Sequence, residues 1–418
     1  MSSTRRVIVI GGGVIGAASA YFLNRAGWQV TIIEKNEYGR GCSHANCGFV
    51  SPSHILPLAE PGVLMKTART MFKKDSPFYI KPRYDPVLWK WLYNFAGRCN
   101  VKDMLQSAQA IHALLQSSRT LYREVITEEK LDCEFEERGL LMVFRTQAKM
   151  NVFAETDALL HEKFNAPARR FDGDALNDFE PALKRGLAGG WLYEMDAHLR
   201  PDKLMREWRR VLTSRGVKIL ERCEVHGFEP QSGSAGALKT ALGTFHADEY
   251  VLAAGALTPR MNDALGVRIP IQPGKGYSMT MPRTKQCPKY PLIFPEHKVA
   301  VTPMQSGYRL GSMMEFCGYD SRVDPQRLQI LRRGAEHYLQ EPYCEPVVEK
   351  WCGWRPMTYD SVPIIDRSPA LRNVLIAAGH NMLGLSMSTG TGKLVSEILS
   401  GAEPHVNKDL YSLARFKS

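Results

Sequence analysis

Val7-Ile8-Val9-Ile10 is an apolar run without alternation, the pattern of a strand buried on both faces of a parallel sheet. Gly11-Gly12-Gly13-Val14-Ile15-Gly16 follows at once. A helix is predicted through Ala17, Ala18, Ala20 and Leu23, and Gly27 stops it. Val30-Thr31-Ile32-Ile33 is a second buried strand, and it ends on Glu34. Lys218-Ile219-Leu220 predicts a short strand, and Tyr250-Val251-Leu252 leads into the small residues Ala253-Ala254-Gly255. A helix rich in small residues is expected from about Leu385-Ser386. No run reaches the roughly 18 apolar residues that a spanning helix needs.

Arg5-Arg6 ahead of the apolar stretch from Val7 to Leu23 imitates an export signal. The glycines at fixed offsets argue otherwise, as does the continuation into a second strand. Cleavage would destroy a complete βαβ unit, so the segment is expected to stay.

That unit has the chemistry of a dinucleotide site. Gly11 permits a tight turn, Gly13 lets the backbone approach a pyrophosphate, and Gly16 lets the helix pack closely on the strand. Glu34 can accept hydrogen bonds from a ribose and would repel a 2′-phosphate. The Lys203–Val225 region lacks glycines at the required spacing, so one dinucleotide is expected. Gly390-Thr391-Gly392-Lys393 is not a phosphate loop of the Walker type, because Met387 and Leu394 stand where that motif needs Gly and Ser or Thr.

Composition narrows the class. Among 418 residues, 44% are hydrophobic and 23% charged, which excludes a disordered chain, a collagen and a small disulfide scaffold. The net charge of +11 permits an anionic partner, but no basic run exceeds a pair, so nucleic acid is not expected. The nine cysteines include no CxxC pair and no zinc spacing. They read as reduced cytoplasmic thiols, with no metal.

Further segments are more specific. They are Arg40-Gly41-Cys42-Ser43-His44-Ala45-Asn46-Cys47-Gly48, Pro273-Gly274-Lys275-Gly276-Tyr277-Ser278, Cys352-Gly353-Trp354-Arg355-Pro356-Met357-Thr358 and Ala378-Gly379-His380-Asn381-Met382-Leu383-Gly384. This ordered set resembles the D-amino-acid oxidase-like FAD-dependent oxidoreductases. It is closest to the group of the bacterial D-amino-acid dehydrogenase small subunit and the D-hydroxyproline dehydrogenases. The resemblance covers nearly the whole chain.

The resemblance implies an α/β (mixed α+β) fold. A Rossmann-like FAD-binding domain, in 1–60, 186–265 and 345–418, is interleaved with a substrate domain, in 61–185 and 266–344. The substrate domain is expected on a mostly antiparallel sheet. FAD contacts are expected from Gly11, Gly13, Val14, Ile15, Gly16, Glu34 and Lys35, from Ser43, Ala45, Asn46 and Gly48, from Val225, Ala254 and Gly255, and from His380, Leu383, Gly384, Leu385 and Ser386. The N-terminus of the last helix would face the flavin pyrimidine ring. A covalent flavin bond is not expected, since Gly353 rather than Cys352 falls at the attachment point of related sarcosine oxidases.

Arg355 matches the family arginine that holds substrate carboxylate, and its planar fork suits that role. Tyr277 and His54 are further candidates for the substrate cavity, and Met382 implies an apolar pocket. The implied reaction is oxidative deamination of a D-alanine-like or D-proline-like amino acid. Hydride passes from Cα to flavin N5, giving an imino acid and then a 2-oxo acid. An oxygen-using glycine or sarcosine oxidase and a non-catalytic or tRNA-modifying flavoprotein stay open as alternatives. Residues 63–98 interleave Phe72, Trp89, Trp91 and Tyr93 with Lys73, Lys74, Lys81 and Lys90. Such a segment suits an anionic membrane surface, which a quinone-linked dehydrogenase must reach. The expected place is therefore the cytoplasm, with peripheral contact at the inner face of the membrane.

Overall fold

The computed structural model describes residues 5–416, apart from the side chains of Lys66 and Ala68. Its first sheet has six strands, ordered Ile364–Arg367, Val374–Ala378, Glu249–Leu252, Arg6–Ile10, Gln29–Ile33 and Lys218–Leu220. Neighbours run parallel except the first pair. Val7, Val9, Ile32 and Val251 are buried throughout, as unalternating apolar strands require.

The helix Val14–Arg25 follows the first strand. A Cβ on Gly16 would stand 1.9 Å from the Gly11 carbonyl oxygen, so no other residue fits there. The C-terminal helix Gly384–Ser400 lies against this helix. A Cβ on Gly392 would come 2.6 Å from the Ala18 backbone, and one on Gly390 would come 3.0 Å from Leu114 O in the long helix Val101–Glu128. The small residues of 384–400 therefore serve close helix packing.

The second sheet has nine strands and is mostly antiparallel. From one edge it runs Glu349–Met357, Gln272–Met281, Gly307–Phe316, Val299–Met304, Leu292–Phe294, Leu140–Phe144, Gly189–Tyr193 and Arg169–Asp172. Phe78–Ile80 joins alongside Gly307–Phe316. Gly189–Tyr193 and Glu349–Met357 lie in this sheet, although both fall in segments expected around the cofactor. Glu349–Met357 pairs from end to end with Gln272–Met281, and local pattern does not reveal such a long-range partner.

Within 63–98, the helix Pro86–Gly97 is capped by Asp85, which accepts from Leu88 N at 2.9 Å. Trp91 points inward, and its indole N–H reaches the carbonyls of Pro270 and Met357 at 3.1 Å. Met65, Phe72, Tyr84, Val87, Trp89 and Tyr93 are exposed. No helix among the described residues is long and apolar enough to cross a membrane.

Candidate cofactor and substrate site

A cavity of about 510 Å³ opens where the glycine turn, the Arg40–Asn46 loop, the strand ends near Ala254 and Ala378, and the strand bearing Arg355 converge. Such a crevice at the carboxyl ends of parallel strands is where doubly wound sheets bind ligands.

The glycine turn is built as its spacing predicts. Gly11 has φ +112°, and a Cβ there would strike Ala253 O at 2.4 Å. Gly13 has room for a Cβ except for Ser43 Oγ at 3.2 Å. Ser43 Oγ accepts from Val14 N at 2.9 Å. Glu34 accepts from Gly12 N at 2.7 Å and from Asn36 N at 2.9 Å. One carboxylate thus holds the turn closed while facing the cavity. Lys35 pairs with Glu224 at 2.6 Å, beside Val225. An open helix N-terminus, a bare glycine backbone and a carboxylate at the strand end are the parts that an extended dinucleotide without a 2′-phosphate requires. The cavity fits FAD.

Fifteen of the expected residues line this one cavity. They are Gly11, Gly13, Val14, Ile15, Glu34, Lys35, Ser43, Asn46, Val225, Ala254, Gly255, His380, Gly384, Leu385 and Arg355. Gly16, Ala45, Gly48, Leu383 and Ser386, also expected at the cofactor, do not line it. A Cβ on Gly48 would meet Leu199 O at 2.1 Å. Ser386 Oγ donates to Phe49 O at 2.8 Å and accepts from Ser51 N at 3.1 Å, tying the last helix to the flavin loop. Burial drives the pKa of His380 down to about 3, so its ring is neutral at physiological pH, in contact with Thr391 Oγ1 at 3.0 Å.

Arg355 Nη1 donates to Met313 O at 2.5 Å, and Nη2 reaches Ser312 O at 3.4 Å. Both carbonyls come from residues with positive φ, +114° at Ser312 and +65° at Met313, where the pairing of Gly307–Phe316 with Gln272–Met281 shifts register. The guanidinium lies against Gly276, where a Cβ would come within 2.4 Å of it. Desolvation lowers the Arg355 pKa, and no carboxylate pairs with it among the described residues. Arg355 is thus a braced cation lining the cavity, with donors left for an anion.

Tyr277 and His54 do not line the cavity. Side chains alternate along the strand Gln272–Met281. Gly276 faces Arg355, while Tyr277 turns into the core, where its hydroxyl donates to Glu315 at 2.5 Å. Burial and this carboxylate raise the Tyr277 pKa well above its ordinary value. His54 sits in a turn in which its N–H reaches Ser51 O at 3.1 Å, and burial lowers its pKa.

Sequence reasoning missed several lining residues, among them Gly12, Arg260, Met261, Trp354 and Asn381. Trp354 and Asn381 lie inside the quoted motifs, so their segments were visible but not their directions. Asn381 has φ +52°, and its side chain bridges Thr358 and Gly379 O while its N–H reaches Pro356 O at 3.1 Å. It locks the last flavin loop to the strand carrying Arg355. Met382 lines the cavity and is partly exposed.

Comparison with known proteins agrees with this geometry. Residues 6–398 match the family model DAO, described as FAD dependent oxidoreductase. A D-amino acid dehydrogenase of Granulibacter bethesdensis is 32% identical over 417 residues, covering 98% of this chain and 99% of the relative. One of Paramagnetospirillum magneticum is 31% identical over 419 residues, covering 99% of each. Among solved structures, glycine oxidase from Geobacillus kaustophilus superposes with a TM-score of 0.80 at 22% identity, over 99% of this chain and 100% of the other. That likeness establishes the fold. By the family match along almost its entire length, together with a cavity built to hold the cofactor, the chain belongs to the DAO family of FAD-dependent oxidoreductases.

Proposed function

We propose that this protein is a D-amino acid dehydrogenase that removes hydride from Cα of a D-amino acid and yields an imino acid, which water converts to a 2-oxo acid. The observation that carries this reading is Arg355, a cation braced by two backbone carbonyls that lines the cofactor cavity without a carboxylate of its own. The activity named for the full-length relatives supports the same reading.

Bound FAD supplies a two-electron acceptor at flavin N5. The protein's task is to orient substrate. Arg355 pairs with the carboxylate, using guanidinium N–H groups that Met313 O and Ser312 O leave free. Trp354, Met261 and Met382 give the surroundings an apolar character suited to a side chain larger than hydrogen. A neutral amine can release hydride directly, so no general base is assigned. Tyr277 and His54 act, on this reading, through the packing of the substrate sheet and the Ser51–Ile55 turn rather than by touching substrate.

An anaerobic bleaching screen tests this. The flavin colour should fade with D-alanine or D-proline-type amino acids and persist with their L-isomers. Bleaching by glycine or sarcosine alone would overturn the reading. Peroxide release in air at the rate of bleaching would assign oxygen as acceptor in place of a quinone.

The exposed aromatic and basic side chains of 63–98 support peripheral contact with the inner face of the membrane, where a quinone acceptor is reached. Binding to anionic vesicles should weaken steeply with salt, because exposed charges are screened within about 8–10 Å at 0.1–0.15 M. Absence of cosedimentation at low salt would remove this contact.

A further inference from the structure

The flavin loop Cys42–Gly48 is gripped by the other sheet. Ser278 Oγ donates to Ala45 O at 2.6 Å, Arg309 Nη1 to Asn46 O at 2.8 Å, and Thr302 Oγ1 to Cys47 O at 2.5 Å. Three consecutive carbonyls are thus taken by side chains from three strands of the large sheet. Arg309 is 1% exposed, and its Nε donates to Thr280 Oγ1 at 2.9 Å. Its Nη2 has no hydrogen-bond partner, with Asp202 and Glu349 both at 3.8 Å. Glu349 also contacts His44 of the same loop at 2.7 Å. A buried guanidinium is expensive to desolvate, and this one is spent on a loop carbonyl.

A planar trans peptide points its N–H opposite to its C=O. Carbonyls of Ala45 and Asn46 fixed on the sheet side therefore aim the N–H groups of Asn46 and Cys47 the other way. Neither amide has a partner among the described residues, whereas the next one, Gly48 N, is taken by Asn46 Oδ1 at 2.9 Å. Asn46 lines the cofactor cavity. Backbone amides shielded from water are almost always paired, so open ones in this half-buried loop, with Asn46 on the ligand cavity, call for an acceptor on the ligand.

We propose that Ser278 and Arg309 are positioning residues that hold the Asn46 and Cys47 amides toward the flavin, where they stabilise the negative charge it takes up on reduction; Thr302 grips the following peptide, whose N–H is already taken by Asn46 Oδ1. Fixed donors aimed at developing charge do this without reorganising. The strand of Ser278 also pairs with the strand of Arg355, so one sheet places both the substrate anchor and the amides. The proposal rests on FAD occupying the cavity and not on which amino acid is oxidised.

The test is the midpoint potential of the purified holoprotein, measured without substrate at saturating FAD. Ser278→Ala removes a donor from the peptide of an open amide, and Thr302→Val removes one from the peptide whose N–H is already satisfied, both at nearly constant volume. Ser278→Ala should reduce the preference for reduced flavin about tenfold, a potential lower by about 30 mV for two electrons, whereas Thr302→Val should keep the wild-type potential. Arg309→Met should lower the potential further, and Arg309→Lys should recover part of the loss. If the Ser278 and Arg309 variants kept the wild-type potential while only melting temperature or FAD affinity fell, the clamp would be structural and the proposal overturned. Failure of both to fold would overturn it equally. A wild-type protein that binds no FAD would instead defeat the family reading on which the proposal rests.

Discussion

Arg355→Ala is the sharpest test of the substrate site. The native guanidinium is fixed by Met313 O at 2.5 Å and Ser312 O at 3.4 Å, and Gly276 leaves it room. Its removal leaves the substrate carboxylate unpaired in a partly dry cavity. Truncating one partner of such a pair costs about 2–5 kcal/mol. At about 1.36 kcal/mol per tenfold, kcat/KM should fall roughly 30-fold to 5,000-fold. Arg355→Lys should recover only part, because a point charge cannot make two parallel hydrogen bonds and also span both carbonyls. The assay is dye reduction normalised to bound flavin, with a neutral amine lacking the carboxylate as control. That control should lose far less. The glycine turn and the Cys42–Gly48 loop are held by other residues, so FAD content should hold. A variant that lost FAD or melted early while kcat/KM per flavin stayed within a few-fold would make Arg355 a structural brace for the Ser312–Met313 bulge, and the anchor would lie elsewhere.

Gly16→Ala should abolish FAD binding or folding, since its Cβ would meet Gly11 O at 1.9 Å; recovery of yellow protein refutes the packing argument. Glu34→Gln should weaken FAD in equilibrium titration of the apoprotein by about tenfold, because the amide can accept at only one of the two N–H groups now held by Glu34. His380 should make the protein acid-sensitive. Its folded pKa, about 3, lies below the unfolded value near 6.5, so its contribution is complete above pH 6.5. It is lost as pH falls toward 3, by about 1.4 kcal/mol per unit. His380→Gln should flatten that part of the stability profile, and denaturant midpoints between pH 6.5 and 4 measure it.

The βαβ unit was legible because each of its parts is local. Unalternating strands, glycines at fixed offsets and Glu34 at the strand end constrain one another within 34 residues. Arg355 was legible only through a motif, since nothing in its neighbours marks a cavity. Tyr277 shows the limit of a motif: the segment arrives at the site, but pleat alternation presents Gly276 to Arg355 and turns Tyr277 into the core. Arg309, Thr302 and Ser278 were invisible for a different reason. Each acts on a loop more than 200 residues away in sequence, through pairings that no single-chain pattern encodes.

The helix Val14–Arg25 meets its C-terminal partner late. Ser396 Oγ donates to Phe22 O across 374 residues of chain. At about 5–20 residues per second, the N-terminal strand and helix emerge from the ribosome roughly 20 to 75 s before the helix that covers them has been made. During that interval Ala18, on which Gly392 closes, stays uncovered, and the cofactor cradle lacks its Ala378–Leu385 wall. A complete cradle for FAD therefore exists only once the last helix has been made.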